Sequence, residues 1–209
     1  MSQKDQSKSF VIAITGSSGA GKTSLVKAVT SLWDDAVSFY FDDYDSTHQC
    51  PENIEEWVNK GIDPHQWKNP RLLEDLHLLS HGTPVTPPNS QREIKPARII
   101  VMEEPFGRTR EGMGELVDFV ACIDVPLEIP LARRILRELD GVMEKKTSEE
   151  YIKQLRGYLH WFVNESGRDM YFQVNEKAKE TCDLVVDGRK SVDEMAKEVV
   201  QGVKRKMAR

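Results

Sequence analysis

Gly16-Ser17-Ser18-Gly19-Ala20-Gly21-Lys22-Thr23 follows the apolar run Phe10–Thr15 (FVIAIT) and precedes Leu25, Val29 and Leu32 at helical spacing. A strand, a glycine-rich turn and a helix in direct succession leave few folds open. The octapeptide matches G-x-x-x-x-G-K-[ST] in full, and each part has a chemical reason. The glycines let successive backbone N–H groups turn inward toward phosphate oxygens. The helix that starts here adds its own unsatisfied N–H groups and the positive end of its dipole. Lys22 can reach β- and γ-phosphates, and the Thr23 hydroxyl can ligate Mg²⁺. The nucleotide-binding set is therefore Gly16, Ser17, Ser18, Gly19, Ala20, Gly21, Lys22, Thr23 and Ser24, with ATP and Mg²⁺ as the expected cofactors. No NKxD-type guanine-reading motif is visible, which leaves ATP as the default.

The rest of the chain alternates in the same way. Val37–Asp42, Arg98–Glu103, Phe119–Val125 and Asp183–Asp187 read as further strands, with helical patterns near 70–81, 127–139, 148–165 and 191–206. Strands separated by helices imply βαβ units and a sheet covered on both faces. The expected fold is a P-loop NTPase, three layers α/β/α, with a five-stranded, mainly parallel sheet and a helical lid. Residues 1–209 read as one domain, with 1–9 a flexible N-terminus and about 127–165 the lid. Residues 82–97, with four prolines, read as an excursion or lid edge rather than a domain linker.

Three groups of side chains are placed to serve a phosphate site. The segment VSFYFDDYD carries Asp42 and Asp43 at the predicted end of a buried strand, and ligands of open α/β sheets sit outside the carboxyl ends of strands. A carboxylate there can accept the proton of an attacking hydroxyl and help hold the metal, which favours Asp42. Asp43 reads either way, and Asp45 as solvated. The segment RIIVMEEPFG ends the third strand on Glu103 and Glu104, with Glu103 the better candidate because the apolar run stops at it. Arg133, Arg134 and Arg137 lie on a predicted helix, where positions four apart share a face. Arginines clamp a transferring phosphoryl group without losing their proton. Their alternative is a solvated face paired with Glu138 or Asp140.

Composition narrows the classes. The net charge of −5 argues against a general nucleic-acid binder, and Lys204–Arg209 reads as a solvated helix end. No stretch approaches the roughly 20 apolar residues of a membrane span, and the polar start of the chain has no secretory h-region. Cys50, Cys122 and Cys182 show no C-x-x-C spacing, so a reduced, cytoplasmic setting is the expectation. The five histidines lack metal-ligand spacing. His65, near Asp63 and Trp67, reads either as lining an acceptor pocket or as plain surface loop. Trp161 and Phe162 read as core. Ser17 and Ser18 follow no G-x-S-x-G elbow, so a serine hydrolase is not supported.

Taken in order over about residues 10–200, these segments resemble the uridine kinase / phosphoribulokinase family of P-loop kinases, including its nicotinamide riboside kinase branch. GSSGAGKT is similar to the family's phosphate loop, and FDDYD to its Q-D-x-F-Y segment, which maps the catalytic Asp onto Asp42. VMEEP is similar to the strand ending in an E-G pair, which maps that Glu onto Glu103. ARRILREL resembles the lid entry R-R-x-x-R-D, and CDLVVDG the last strand, Y-A-D-x-x-I. The resemblance implies phosphoryl transfer to a hydroxyl of a nucleoside-like or other small metabolite. Asp42, Lys22, Arg133 and Arg137 are then the catalytic candidates. Asp42, Asp63, Glu103 and Arg134 become the substrate contacts, Asp63 by a loose alignment with a ribose-binding Asp, and Thr23, Asp42 and Glu103 the metal ligands. Three departures stand out. Glu104 replaces the E-G glycine, PPNSQ replaces a P-x-Y-D segment, and Lys145 and Lys146 stand where the lid has later arginines. The competing expectation is a nucleotide-dependent switch or accessory NTPase with no small acceptor. Oligomeric state is not legible.

Overall fold

Five strands, β1 (Phe10–Thr15), β2 (Ala36–Phe39), β3 (Ile99–Glu103), β4 (Phe119–Asp124) and β5 (Leu184–Asp187), pair in the order β2-β3-β1-β4-β5, every pair parallel. The computed structural model describes residues 8–90, 92–145 and 148–209, the side chains of 141–148 excepted. Residues 1–7 of the expected flexible N-terminus, Lys146 and the Lys145 side chain thus lie outside it. Eight helices accompany the strands among the described residues: α1 (Lys22–Ser31), α2 (Ile54–Asn59), α3 (Pro70–Ser80), α4 (Met113–Leu116), α5 (Glu128–Lys145), α6 (Ser148–Asn164), α7 (Gly167–Lys179) and α8 (Val192–Met207).

β1 shows why the sheet is covered on both faces. Successive side chains of a strand point to opposite sides. Ile12 and Ile14 join Val26 of α1 and Val199 of α8 in one core cluster, while Val11 and Ala13 join Leu72 and Leu76 of α3 and Met113 of α4 in another. Both layers are apolar, so β1 reads as an unbroken hydrophobic run rather than an alternating one. A third cluster, Trp57, Val58, Ile62 and Phe106, lies beneath α2 and receives Met170 and Val174 from α7.

The structure differs from the sequence reading in the second strand. β2 stops at Phe39, and Phe41–Thr47 is a 3₁₀ turn, so Asp42 lies on a turn beyond the strand rather than at its end. Tertiary contacts impose the turn. Tyr44 is fully buried and its hydroxyl donates to Asp75 Oδ2 of α3 at 2.9 Å. Asn69, also fully buried, caps α3 by accepting from the Leu72 N–H, accepts from the Thr47 hydroxyl at 3.0 Å, and donates through Nδ2 to the Tyr44 carbonyl at 3.2 Å. Residues 82–97 do not line the cleft described below. Val85 and Ile94 pair there and enter the core, and Asn89 bonds the Asp43 carbonyl and the Ser46 hydroxyl, so this excursion buttresses the same turn.

Asn69→Ala removes a helix cap and two ties of the Asp42 turn at once. Urea unfolding is expected to show a loss of about 2–3 kcal/mol, the sum of a cap and one orphaned buried group. A loss below about 0.5 kcal/mol would show that the turn is held by other means.

Candidate active site

The phosphate loop occupies the passage from β1 to α1. Gly21 precedes the first helical residue in a left-handed conformation, with φ of 102°. Lys22 is buried, with Nζ 3.3 Å from the Ser17 carbonyl and 3.4 Å from Glu103 Oε1. The Thr23 hydroxyl donates to Glu103 Oε2 at 2.9 Å. Glu103 arrives here because β3 pairs directly with β1, Glu103 opposite Ile14. A lysine, a hydroxyl and a carboxylate are thus joined at the carboxyl end of the sheet. The Thr23 hydroxyl and the Glu103 carboxylate are hard oxygen donors close together, a set that fits Mg²⁺ completed by phosphate oxygens and water.

α5 lies directly over the loop. A Cβ placed on Gly19, whose φ is +87°, would come within 2.4 Å of the Pro130 carbonyl oxygen, so only glycine allows this approach. Arg133 and Arg134 of α5 turn to the loop rather than to Glu138 or Asp140. Arg133 donates to the Ala20 and Gly188 carbonyls at 3.3 Å. Arg134 donates to the Ser18 hydroxyl at 2.9 Å and to the Tyr171 hydroxyl at 3.0 Å, with its guanidinium 4.5 Å from the Tyr158 ring centre. All three, Arg137 included, line one cleft of about 420 Å³ together with the phosphate loop, Asp42 and Glu103.

The other half of this cleft is aromatic. Phe41, Trp57, Trp67 and Phe106 line it, with Met170 and Val174 of α7. Trp67 has ring centres 5.7 Å from Trp57 and 6.0 Å from Phe106. Asp42 follows Phe41 in the chain and lines the same cleft. Asp43 lines a separate groove at the β2 edge. Glu104 does not line the cleft. It is fully buried and forks onto Arg110, with Arg110 Nε 3.0 Å from Oε1 and Nη2 2.5 Å from Oε2. The side chain standing in place of the E-G glycine therefore leaves the cleft open.

The structure brings together Lys22, Thr23, Asp42, Glu103, Arg133, Arg134 and Arg137. It does not bring Asp63 to them. That residue is exposed and caps a short turn by accepting from the His65 N–H, while His65 is exposed as well. Phe162 is core, as read, and Trp161 packs over Gly167 at the start of α7. Among the residues the sequence reading missed are the wall formed by Phe41, Trp57 and Phe106, its support Arg110, and Tyr171. The recurrence of Met170 and Val174 four apart was the available signal for the α7 contribution.

His48 stacks on Phe41, with ring centres 4.3 Å apart, and only 8% of its side chain is exposed. Burial, with a smaller part from the Arg110 cation, holds its pKa down at about 4, against 6.5 for a free histidine. The unfolded chain therefore takes up this proton first. The contribution to stability is full above pH 6.5 and is lost as the pH falls toward 4. Urea midpoints of the wild type should fall more steeply between these limits than those of His48→Phe, which has no proton to gain. Parallel declines would place the His48 proton uptake elsewhere.

No family model matches the chain. It is 27% identical over 192 residues to a uridine kinase of Macrococcus caseolyticus, across 86% of this chain and 88% of that one. It is 26% identical over 193 residues to a uridine kinase of Haemophilus influenzae, across 85% and 86%. The solved structure of a possible uridine kinase from Bacillus stearothermophilus covers 88% of this chain with 91% of its own, at a TM-score of 0.50 and 18% identity, a likeness of fold. Over most of its length the chain is similar to uridine kinases, and its fold is the parallel, helix-covered sheet of the P-loop kinases.

Proposed function

We propose that the protein is an ATP- and Mg²⁺-dependent kinase that transfers the γ-phosphoryl group to a hydroxyl of a small, flat, nucleoside-like acceptor. The observation that carries this reading is a single cleft lined by both the phosphate loop and a cluster of aromatic rings, with Asp42 on its wall. In the phosphate half, backbone N–H groups of Gly16–Thr23 would hold the β- and γ-phosphates, with Lys22 beside them. Thr23, Asp42 and Glu103 would hold Mg²⁺, whose positive charge would offset that of the phosphate oxygens. Arg133 and Arg134 bond the loop and Arg137 lines the same cleft, where the three would stabilise the phosphoryl group in flight.

In the aromatic half, ring faces offer area and stacking to a planar body. The cation behind it, Arg110, is paired with Glu104 and buried behind Phe41 and Phe106. An uncharged aromatic acceptor suits this wall better than a sugar phosphate or a carboxylate. The acceptor hydroxyl would face Asp42, which takes its proton as the oxygen attacks. Closure of α5 and α6 as a lid would keep water, the competing nucleophile, from the γ-phosphoryl group. An accessory NTPase switch has no use for such a wall.

The test is ADP release from Mg·ATP across nucleosides, ribosides, sugars and pantothenate. A nucleoside or riboside is expected to accelerate release. Asp42→Ala should lose about 10²–10⁴-fold of that rate with ATP affinity nearly unchanged, and Lys22→Ala should lose turnover as well. Wild-type turnover by Asp42→Ala would refute the assigned base. Tight ATP binding with no acceleration by any compound would count against the kinase reading and for the switch.

A further inference from the structure

Four segments supply the rings of the acceptor wall, and three of them, those of Phe41, Trp67 and Phe106, converge on one buried group that does not touch the cleft. Arg110 is 4% exposed, and its guanidinium carbon lies 5.3 Å from the Phe41 ring centre and 5.9 Å from that of Phe106. Its Nη1 reaches the Trp67 carbonyl at 3.5 Å. Glu104, which neutralises it, also accepts from the Phe106 N–H at 3.1 Å. One ion pair therefore binds the turn carrying Phe41 and Asp42, the loop carrying Trp67, and the residues after β3 that carry Phe106.

Stability alone gives little reason to keep such a pair. Removing two charges from water costs several kcal/mol per ion, and apolar replacements of similar volume are often neutral or stabilising. What an apolar pair cannot reproduce is direction. The fork fixes the guanidinium plane against the carboxylate, and the plane then fixes two rings and a carbonyl. Two polar atoms beside the pair, Trp67 Nε1 and His48 Nε2, are buried with no hydrogen-bond partner, so the Phe41 and Trp67 rings gain no direction from their own neighbours, whereas Trp57 is oriented separately by its Nε1–H bond to the Asp63 carbonyl at 2.8 Å.

We infer that the Glu104–Arg110 pair is a positioning device for the acceptor. It sets the aromatic wall, and through Phe41 the adjacent Asp42, against the phosphate loop. This rests on the kinase reading for its functional part, while its structural part stands without substrate. Arg110 and Glu104 are positioning residues, since neither reaches the cleft.

The test compares the wild type with Arg110→Lys, which keeps the charge and loses the fork, and with the double variant Glu104→Met/Arg110→Met, which removes both charges. In both, amides of residues 41–48 and 104–107 should exchange about tenfold faster, with those of residues 16–24 unchanged. The acceptor KM should rise about tenfold or more with the ATP KM within about twofold, a split that general destabilisation does not produce. The double variant should unfold at the wild-type temperature or above. Should it fail to fold, the lysine variant decides alone. Wild-type exchange in residues 41–48, or an unchanged acceptor KM, overturns the inference. Absence of acceptor-dependent ADP release by the wild type would sink the kinase reading alone, because the exchange comparison needs no substrate.

Discussion

Glu103 meets Lys22 and Thr23 because β3 lies directly beside β1, and most of the site is arranged around that adjacency. In a parallel sheet all carboxyl ends fall on one edge, so neighbouring strands deliver their following residues to the same place. β1 delivers the phosphate loop, β2 the turn with Asp42, and β3 Glu103 followed by Pro105 and Phe106. The contact also suits the chemistry. Glu103 meets both the buried lysine and the threonine hydroxyl, so neither group is left unpartnered at the carboxyl edge of the sheet.

The two halves of the cleft are stabilised by different physics. The phosphate half is built on backbone, the glycine turn and the start of α1, with Arg133 on the Ala20 carbonyl and Arg134 on the Ser18 hydroxyl. The acceptor half is held by side chains, rings packed on rings with a single buried ion pair behind them. Backbone recognition is tolerant of substrate and recurs wherever phosphate is bound. A side-chain wall can change with few substitutions. That contrast fits a phosphate loop that matches a general motif throughout, while Glu104 and PPNSQ depart from the pattern of the kinases that the chain resembles.

The phosphate loop, the strand order of events and the three arginines were readable because each signal is local: a spacing, a run, a helical face. The Asp42 turn was read as strand because Val37–Asp42 is apolar enough for one. What ends the strand is Tyr44 reaching Asp75, a contact across 31 residues that no local pattern carries. α7 escaped because its inner face mixes Met170, Val174 and Ala178 with the polar Asn175, while Phe172 faces out, so no clean apolar stripe marks Gly167–Lys179. Arg110 gave no signal at all, sitting in a loop with nothing apolar or periodic about it. Asp63 shows the opposite error: a loose alignment assigned it to the substrate, while the fold leaves it exposed as the cap of a short turn.

The central claim is that the γ-phosphoryl group leaves ATP for an organic hydroxyl held against the aromatic wall. The most direct measurement is the fate of label from [γ-³²P]ATP, resolved by chromatography after incubation with the accelerating nucleoside or riboside. The account predicts that the label is recovered in a phosphomonoester of that compound, with little as inorganic phosphate. Label found wholly as inorganic phosphate under saturating acceptor would mean that water is the true acceptor and that the cleft has been misread.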